Sequence, residues 1–498
     1  PILFMGGILG RLFNEFAVVI AVAVLFSGFV SLTLTPMLSA RILRAPSEAR
    51  HGRLYKAADR IIEGLHRGYE ASLAWVLERK PLALVFIVLI MAGTVVLFMR
   101  IPKGFLPSED TGIISGVTEA AQGISFPAMA EHQRAVAAAL IQDPNIDAFA
   151  SSVGGMAGGG NAGRMFIRLK PREERELSAD EVIAQVRPRL GGVPGIRAYI
   201  QNPPPIQFGA RTSRAVYQFT LLSPSTDELY ANAGMFEAKM RALAILQDVS
   251  SDMQLQNPQI SVEIDRDRAL ALGVTPLQIE DGLYYSYGSR QVSTIYTANN
   301  QYQVIMELQP EFQNDPAQLS KLYIRSGSGT LVPLDGVARL ERTTGPLSVN
   351  HSGQIPSVTI SFNLRPGVAL GDAVSEINRM AAESLPATVT RNFQGAAQAF
   401  QSSLKGLGFL LLMTIVVIYM ILGILYESFI HPLTILSALP FAGFGALLTL
   451  FIFGKDLSIY AFVGVIMLVG LVKKNGIMMV DFAVKAEAEK GKSARDAI

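Results

Sequence analysis

Residues 457–483 read LSIYAFVGVIMLVGLVKKNGIMMVDFA, a helix-length apolar run with two adjacent lysines, Lys473 and Lys474, near its middle. About 20 apolar residues are enough to span a bilayer. A cation at that depth costs roughly 2.5–3.5 kcal/mol on insertion scales, so a membrane lysine normally faces a bundle interior or a hydrated cavity. The stretch therefore predicts a membrane helix that carries a sheltered positive charge.

The composition of the chain divides into two regimes. Half of its 498 residues are hydrophobic and 17% are charged, which is an apolar balance for a soluble protein. Apolar runs of helix length lie near both ends, whereas the long central part has an ordinary globular pattern. A single run could be a core helix of a large soluble protein, but the number of runs predicts membrane spans, which are 16–38, 82–99, 406–426, 433–453 and 457–483.

The charges and the titratable residues exclude several classes of function. A net charge of +2 without a basic face gives no sign of a nucleic-acid surface. The chain has no cysteine, so it has neither disulfides nor thiolate metal sites. Its five histidines lack the spacing of metal ligands, and no nucleophile–base pattern or nucleotide loop is present. We therefore expect no enzyme activity, no cofactor and no resident metal.

The loop between the first two apolar runs sets the predicted orientation. Residues 39–80 are rich in lysine and arginine, which places this loop in the cytoplasm. The basic tail 485–498 then lies on the same side, and the central region 101–404 lies outside. Residues 54–77 have apolar positions at helical spacing, which predicts an amphipathic helix along the inner membrane surface; a solvated connector is the alternative.

The central region alternates strand and helix patterns. Two βαβ patterns follow one another along the sequence, and we assign a predicted strand at 260–264 to the second. Ser178, with Glu181 three residues later, is a capping-box pattern and predicts a helix start. Residues 274–350 interrupt the second copy and contain two hairpin patterns, at 292–308 and 323–334. This order is typical of split-βαβ layers, so the fold class that we predict is an α+β membrane protein.

The segment 153–163, VGGMAGGGNAG, has six glycines in eleven residues and is expected to be the most flexible stretch. It lacks the sequence pattern of a phosphate-binding loop and joins two predicted strands. It is either a plain linker or, given the flanking Phe149, Met165 and Phe166, a mobile flap beside an apolar cleft.

The two membrane lysines are expected to have different roles. Adjacent helix positions point about 100° apart, so Lys473 and Lys474 cannot both face one neighbour. We predict that Lys473 snorkels or forms a static ion pair, and that Lys474 is a proton-relay candidate. Asp481 lies two turns beyond Lys474 near the inner edge, and the other four apolar runs contain no acidic residue in their interiors. Because the sequence begins and ends inside helix patterns, we expect an internal piece of a longer protein whose remainder supplies the partner carboxylate.

Six segments resemble, in the same order, those of the resistance–nodulation–division (RND) proton-driven efflux transporters, in the hydrophobe and amphiphile branch and closest to subunits of the MdtB/MdtC type. Each segment alone is a weak signal, but together they extend over nearly the whole chain. They are GRLFNEFAV (10–18), SLTLTPML (31–38), FLPSEDTG (105–112), IDRDRALALGV (264–274), LYESFIHPLTIL (425–436) and GLVKKNGIMMVDFA (470–483).

The resemblance implies a domain arrangement. The apolar runs are similar to the sixth to tenth helices of a twelve-helix transporter, and the central region is similar to its second periplasmic half. The implied boundaries are a helix in 1–38, a cytoplasmic loop with an amphipathic helix in 39–80, a helix in 81–100, a first porter subdomain in 101–213, a second in 214–273 and 351–404, a docking subdomain in 274–350, three helices in 405–484 and a cytoplasmic segment in 485–498.

The resemblance also implies a function, which is the exchange of protons for amphiphilic small molecules across the inner membrane of a Gram-negative bacterium. It implies a homo- or heterotrimer in the lipid membrane that works with a periplasmic adaptor protein and an outer-membrane channel, and no contact with nucleic acid. Lys474 matches the relay lysine, with Asp481 beyond it. The glycine-rich stretch matches the switch loop between two drug pockets, through Gly154, Gly155, Gly158, Gly159 and Gly160. Phe149, Met156, Phe166 and Tyr199 match residues of the drug pockets. At the position of Met156, relatives often have phenylalanine.

Two further readings remain open. The first is metal-ion efflux in the same superfamily, which would need a methionine cluster in the cleft. The methionines of the central region, such as Met129, Met235, Met253 and Met306, are dispersed along the sequence. The second is a partner subunit of a mixed trimer that does not pump and serves structure and docking only.

Overall fold

The computed structural model describes residues 7–42, 53–154, 160–206 and 214–491. Within these residues the helices are α1 (Gly7–Ile42), α2 (Arg53–Glu78), α3 (Lys80–Arg100), α4 (Phe126–Ile141), α5 (Ala179–Gly191), α6 (Thr226–Ala242), α7 (Arg266–Ala271), α8 (Pro276–Tyr287), α9 (Pro310–Gln313), α10 (Leu370–Ser384), α11 (Gly395–Tyr426), α12 (Ile430–Leu436), α13 (Leu439–Ile452) and α14 (Ile459–Lys490).

The strands alternate with these helices along the central part of the chain. They are β1 (Ile113–Ala120), β2 (Ile146–Val153), β3 (Ala162–Leu169), β4 (Ile196–Gln201), β5 (Tyr217–Leu222), β6 (Leu246–Ser251), β7 (Asn257–Ile264), β8 (Arg290–Tyr296), β9 (Gln301–Met306), β10 (Tyr323–Arg325), β11 (Leu331–Pro333), β12 (Ala338–Gly345), β13 (His351–Ser352), β14 (Ile355–Leu364) and β15 (Thr390–Gln394).

The described residues divide into two compact units. The first is drawn from 1–111, 201–251 and 359–498, and the second from 112–200 and 252–358. Five segments, all in the first unit, are long and apolar enough to cross a membrane: Phe13–Ile42, Lys80–Arg100, Gly395–Tyr426, Ile430–Ile452 and Ile459–Glu489. They coincide with the five apolar runs of the sequence, so the fold class that we predicted, an α+β membrane protein, is confirmed.

The fourth membrane segment is not the single helix that the sequence pattern predicts. It consists of the short α12 and the longer α13, with a turn at Ser437 and Ala438 between them. Pro440 lies in the first turn of α13. Proline has no backbone N–H and clashes with the preceding turn of a helix, so it is tolerated at a helix start but not in the interior.

The second unit contains a four-stranded sheet in the order β2-β3-β1-β4, covered on one face by α4 and α5. Helix α4 presents Met129, Val136 and Leu140 to this face at helical spacing, and all three are fully buried. The capping box predicted at the start of α5 is confirmed, because Ser178 and Glu181 exchange both hydrogen bonds. These bonds, from the backbone and hydroxyl of Ser178, lower the pKa of the Glu181 carboxyl.

The remainder of the second unit is built from two-stranded ribbons. The two predicted hairpins are confirmed as β8–β9 and β10–β11. The prediction that residues 260–264 belong to the second βαβ pattern is wrong. Strand β7 pairs along its whole length with β12 instead. The two strands are far apart in sequence, so only side-chain burial against a shared core, with Ile324, Leu334 and Val337, selects this pairing.

The first unit contains β5, β6, β15 and residues 359–364 of β14, in which β5 lies between β14 and β15 and β6 pairs with β14. Helices α6 and α10 each bury one apolar stripe. Phe219 on the central strand β5 contacts Phe236 on α6, with ring centroids 5.4 Å apart, and Phe393 on β15 at 4.8 Å. Aromatic packing of this kind contributes beyond the buried area alone. After β15, Gly395 takes a positive φ of 61° and the chain enters α11, which continues without a break into the membrane segment.

The turn between α13 and α14 brings a carboxylate against this sheet. Asp456 lies outside the membrane segments, and its partial burial, together with the carboxylate of Asp372 on α10, raises its pKa, while Lys455 acts in the opposite direction. Burial raises the pKa of the Tyr217 phenol on β5 to about 12, with a smaller contribution from the charge of Asp456. The turn is therefore embedded among groups of the sheet layer.

We expect Phe236→Ala to destabilise the protein by about 3–5 kcal/mol, because it leaves a cavity against Phe219 in a fully buried position. Thermal unfolding of the purified protein in detergent, followed by circular dichroism, would measure this. The matched control is Met235→Ala on the same helix, which is 41% exposed and should change stability by less than about 0.5 kcal/mol. Equal effects of the two variants would contradict the packing described for α6.

We expect Asp456→Asn to raise the melting temperature at about pH 7.5 and to have little effect at about pH 3.5. The raised pKa means that the folded protein holds this proton more tightly than the unfolded chain, so the ionised carboxylate costs stability above the raised pKa and the cost disappears as the pH falls. Thermal unfolding at both pH values tests this. Glu263→Gln, at an exposed strand position, is the control. A gain at pH 3.5 equal to that at pH 7.5 would contradict the assignment.

Candidate functional site

Helix α14 has one packed side and one open side within the described part of the first unit. Val469, Ile477 and Val480 pack against α11 and α12, and Gly476 lies 3.6 Å, measured from an ideal Cβ position, from the side chain of Ile435. A Cβ at that distance would make an ordinary van der Waals contact, so α14 and α12 touch at this position. Lys473 is half-buried, one turn from Val469 along the helix.

Lys474 lies on the open side of α14. The exposed residues Met467, Leu471 and Met478 share its stripe at spacings of three and four residues. Among the residues that the structure describes, no carboxylate forms an ion pair with Lys474. An apolar stripe with a lysine in it, at membrane depth, is the surface that a further helix with a compensating charge would cover.

Asp481 is not brought to Lys474 by the fold. Its carboxylate accepts a hydrogen bond from Nζ of Lys485 at 2.9 Å, an ion pair between residues one turn apart and exposed. Seven residues of helix separate Asp481 from Lys474, which is about 10 Å along the axis. The two predicted relay residues are therefore separate in this structure. Asp481 forms a local ion pair with Lys485, and Lys474 lies on the open side of α14.

The glycine-rich loop has a fixed stem. Val153 pairs with Gly163 at the ends of β2 and β3, and the N–H of Gly154 donates to the carbonyl of Ala162 at 2.8 Å. Gly154 has a φ of 76°, a conformation that side chains disfavour. The carbonyl of Asn161 accepts a hydrogen bond from the N–H of Ala120 on β1. Of the predicted switch-loop and pocket residues, Gly155, Met156, Gly158 and Gly159 lie outside the described residues, and Gly160 is exposed.

A buried polar network beneath the stem is not evident from the sequence motifs. The hydroxyl of Thr118 donates to Oε1 of Gln133 at 2.5 Å, and Nε2 of Gln133 donates to the hydroxyl of Ser151 at 2.7 Å. Gln133 is 4% exposed. A Cβ on Gly163 would lie 2.5 Å from the Thr118 hydroxyl, so this position admits only glycine. The available signal was the spacing of Gln133, which lies one turn after Met129 on the core face of α4.

The predicted pocket aromatics lie on opposite faces of the four-stranded sheet. Phe149 pairs with the core residue Ile167 and packs against the helix-covered face. Phe166, the next residue on β3, points to the other face and is 59% exposed. Tyr199 on β4 is followed by the core residue Ile200, so it shares the face of Phe166, and it is buried. The structure therefore places Phe166 and Tyr199 on one face of the sheet and Phe149 on the other.

The face that carries Phe166 also carries positive charge. Arg164 and Arg168 lie two positions either side of Phe166 on the same strand, and Arg168 forms a 2.7 Å ion pair with Asp147. The residues paired with Phe166 are Ala150 on β2 and Ser115 on β1. Both neighbours are small, and the aromatic ring is left uncovered on this face.

The described residues contain no group of three or more histidine, aspartate and glutamate side chains that could hold a metal ion. The methionines noted in the sequence lie in different parts of the chain. Met129 is buried on the core face of α4, Met235 is on α6, Met253 follows β6 and Met306 is on the hairpin strand β9. These positions do not form a cluster of soft ligands.

Comparison with solved structures shows a similar fold in one described as "X-ray crystal structure of a heavy metal efflux pump, crystal form II". The TM-score is 0.77 and the sequence identity is 21%, over 85% of this chain and 45% of that one. The chain thus spans less than half the length of that pump. The family model described as "AcrB/AcrD/AcrF family" matches residues 1–498. The chain therefore belongs to the AcrB/AcrD/AcrF family of RND permeases.

Proposed function

We propose that the chain forms part of a proton-driven exporter that removes amphiphilic small molecules from the inner membrane and periplasm of a Gram-negative bacterium. The observation that carries the proposal is Lys474, a cation on the open apolar stripe of a membrane helix. A lysine at this depth is a proton-relay candidate by default. The segments quoted from the sequence support the amphiphile branch of the family and a position near the MdtB/MdtC type.

The driving force is sufficient for such a cycle. One charge that crosses a membrane potential of 100 mV releases about 2.3 kcal/mol, before any pH gradient is added. A carboxylate opposite Lys474 would hold the lysine as an ion pair and release it when protonated. In this scheme Asp481 has a local role at the inner end of α14, since its carboxylate is paired with Lys485.

The substrate surface that we propose is the face of the four-stranded sheet with Phe166 and Tyr199, next to the glycine-rich switch loop. Phe166 offers an uncovered aromatic ring, which suits the apolar part of an amphiphile. Phe149 acts from the opposite face, where it packs against the core that supports the sheet. Gly154 and Gly160 mark the two ends at which the loop meets its stem.

Metal-ion efflux is the second candidate, because the solved structure of similar fold is described as a heavy metal efflux pump. Copper(I) and related ions select soft thiolate or thioether ligands. The four methionines noted above come from different parts of the chain, and the described residues contain no group of three or more histidine, aspartate and glutamate side chains that could hold a metal ion. These observations favour amphiphiles over metal ions as substrates.

The hairpin β8–β9 supports assembly with further subunits. It pairs with no third strand among the described residues and exposes apolar side chains on both faces, including Ile295, Tyr296, Tyr302 and Ile305. A two-stranded hairpin is marginally stable alone in water, so these side chains are expected to be covered by a partner. We propose that the partner is another subunit of a homo- or heterotrimer, and that the trimer works with a periplasmic adaptor and an outer-membrane channel.

We expect Lys474→Met, made in the complete transporter subunit, to abolish amphiphile efflux while the amount in the membrane stays unchanged, because it removes the charge and keeps the apolar stem. Efflux of a fluorescent amphiphile from energised cells, with membrane levels measured on blots, tests this. Lys473→Met is the matched control and should retain efflux of at least half the unmodified rate. Normal efflux with Lys474→Met would refute a driving role and would favour a partner subunit that does not pump.

We expect Phe166→Ala to lower the efflux of amphiphiles by roughly tenfold, which corresponds to about 1.4 kcal/mol of lost interaction. Phe126→Ala is the control, since Phe126 is 64% exposed at the start of α4, on the other side of the sheet. Resistance to copper and silver salts is measured in parallel. Loss of metal resistance with intact amphiphile efflux would decide for the metal alternative.

A further inference from the structure

A five-residue segment after α3, residues 101–105, lies between α14 and α10, and we name it the α3 linker. The carbonyls of Pro102 and Phe105 accept hydrogen bonds from the N–H groups of Leu457 and Ile459, at 2.9 and 3.1 Å. These two donors lie at the start of α14. The α3 linker is therefore joined to α14 through backbone groups on both sides of its centre.

The centre of the α3 linker is joined to the other helix. The carbonyl of Lys103 accepts a hydrogen bond from the N–H of Gly371, in the first turn of α10, at 3.0 Å. Phe105 places its ring edge-on to Phe400 of α11, with centroids 6.0 Å apart, and both rings are buried. The same short segment thus holds the starts of α14 and α10 and the side of α11.

Two glycines allow these layers to approach so closely. A Cβ on Gly104 would lie 3.0 Å from both Cβ and Oδ2 of Asp456, and a Cβ on Gly371 would lie 3.1 Å from the Cβ and carbonyl oxygen of Lys103. Few real Cβ contacts are so short, so a larger residue at either position requires its neighbour to move, and a branched residue such as valine requires a larger shift than a small one. The backbone of Gly371 also lies next to the ring of Phe400.

The charged groups around the junction come from every layer that meets there. Asp456 of the α13–α14 turn interacts with Asp372 of α10, with its neighbour Lys455 and with the phenol of Tyr217 on β5. The ammonium group of Lys103, in the α3 linker, lies 5.2 Å from the ring centroid of Phe98, near the end of α3. The junction is thus a continuous contact between the start of a membrane helix and the sheet layer of the same unit.

We propose that the α3 linker, with Gly104 and Gly371, is a rigid mechanical connection that passes displacement of α14 to α10 and α11. Helix α14 is continuous from Ile459 to Lys490, so Lys474 lies on the same rod, about 22 Å from the linker. Backbone hydrogen bonds join the parts, and helices transmit small shifts as rigid elements. The inference rests on the proposed role of Lys474 in the transport cycle.

Residues 1–498 contain no cysteine, so a direct test is possible in the complete transporter subunit once any cysteine elsewhere in the subunit is replaced by serine. The double variant Lys103→Cys and Gly371→Cys places two Cβ atoms 3.1 Å apart, below the roughly 3.5–4.5 Å of natural disulfides, so a shift of a few tenths of an ångström is needed to admit the bond. Because the connection is rigid, we expect the oxidised, cross-linked protein to export a fluorescent amphiphile at no less than half the rate of the reduced one. Loss of efflux on oxidation, restored by a reductant, would show that the contact opens during the cycle and would overturn the proposal.

A second arm measures the transmission itself. A single cysteine at Glu383, exposed on α10, is labelled with a maleimide in membranes, with and without Lys474→Met. We expect the labelling rate to change at least threefold with Lys474→Met, and this response to disappear when Gly104→Val or Gly371→Val is also present. Gly191→Val is the control, since Gly191 has open space around it, and should keep the response.

The outcomes separate the two claims. If Lys474→Met leaves efflux intact, the proposed function fails. If Lys474→Met abolishes efflux but leaves labelling of α10 unchanged, only the mechanical connection fails, and it also fails if Gly104→Val preserves the response. Should the valine variants not reach the membrane, the cross-linking arm decides by itself.

Discussion

A lysine ammonium at the depth of the hydrocarbon core must be neutralised or hydrated, and this requirement governs the first unit. Lys474 lies among Met467, Leu471 and Met478 on a stripe that the described helices leave open, while the opposite side of α14 is packed against α11 and α12. The helix is therefore packed along one side and carries a lysine on the open side. In the transport cycle that we propose, a change in the charge state of Lys474 alters what the open stripe contacts, and the packed side limits how α14 responds.

What α14 can move depends on contacts at its outer end. These contacts are made by backbone carbonyls of the α3 linker and by glycines that leave no gap, so they do not rely on flexible side chains. Asp456 is held in the same junction although its ionised form is disfavoured there. A charged group retained at a stability cost is common where structure serves a conformational change, and here it lies between the membrane helix and the sheet layer.

The pleat of the four-stranded sheet in the second unit separates core side chains from exposed ones. Residues that alternate along β3 lie on opposite faces, so Met165 and Ile167 build the core and Phe166 stands clear of it. The network of Thr118, Gln133 and Ser151 fixes the strands that carry the glycine-rich loop.

The sequence by itself determined the membrane helices, the α+β class, the capping box at Ser178 and both hairpins, because each follows from periodicity or turn chemistry over a few residues. It also singled out Lys474, since a charge inside an apolar run is a local anomaly. Tertiary structure alone decided the pairing of β7 with β12, the separation of Phe149 from Phe166, and the joining of residues 101–105 to α10 and α14. Register and long-range contacts depend on which surfaces are buried together, and the local sequence around a residue does not identify its distant partner.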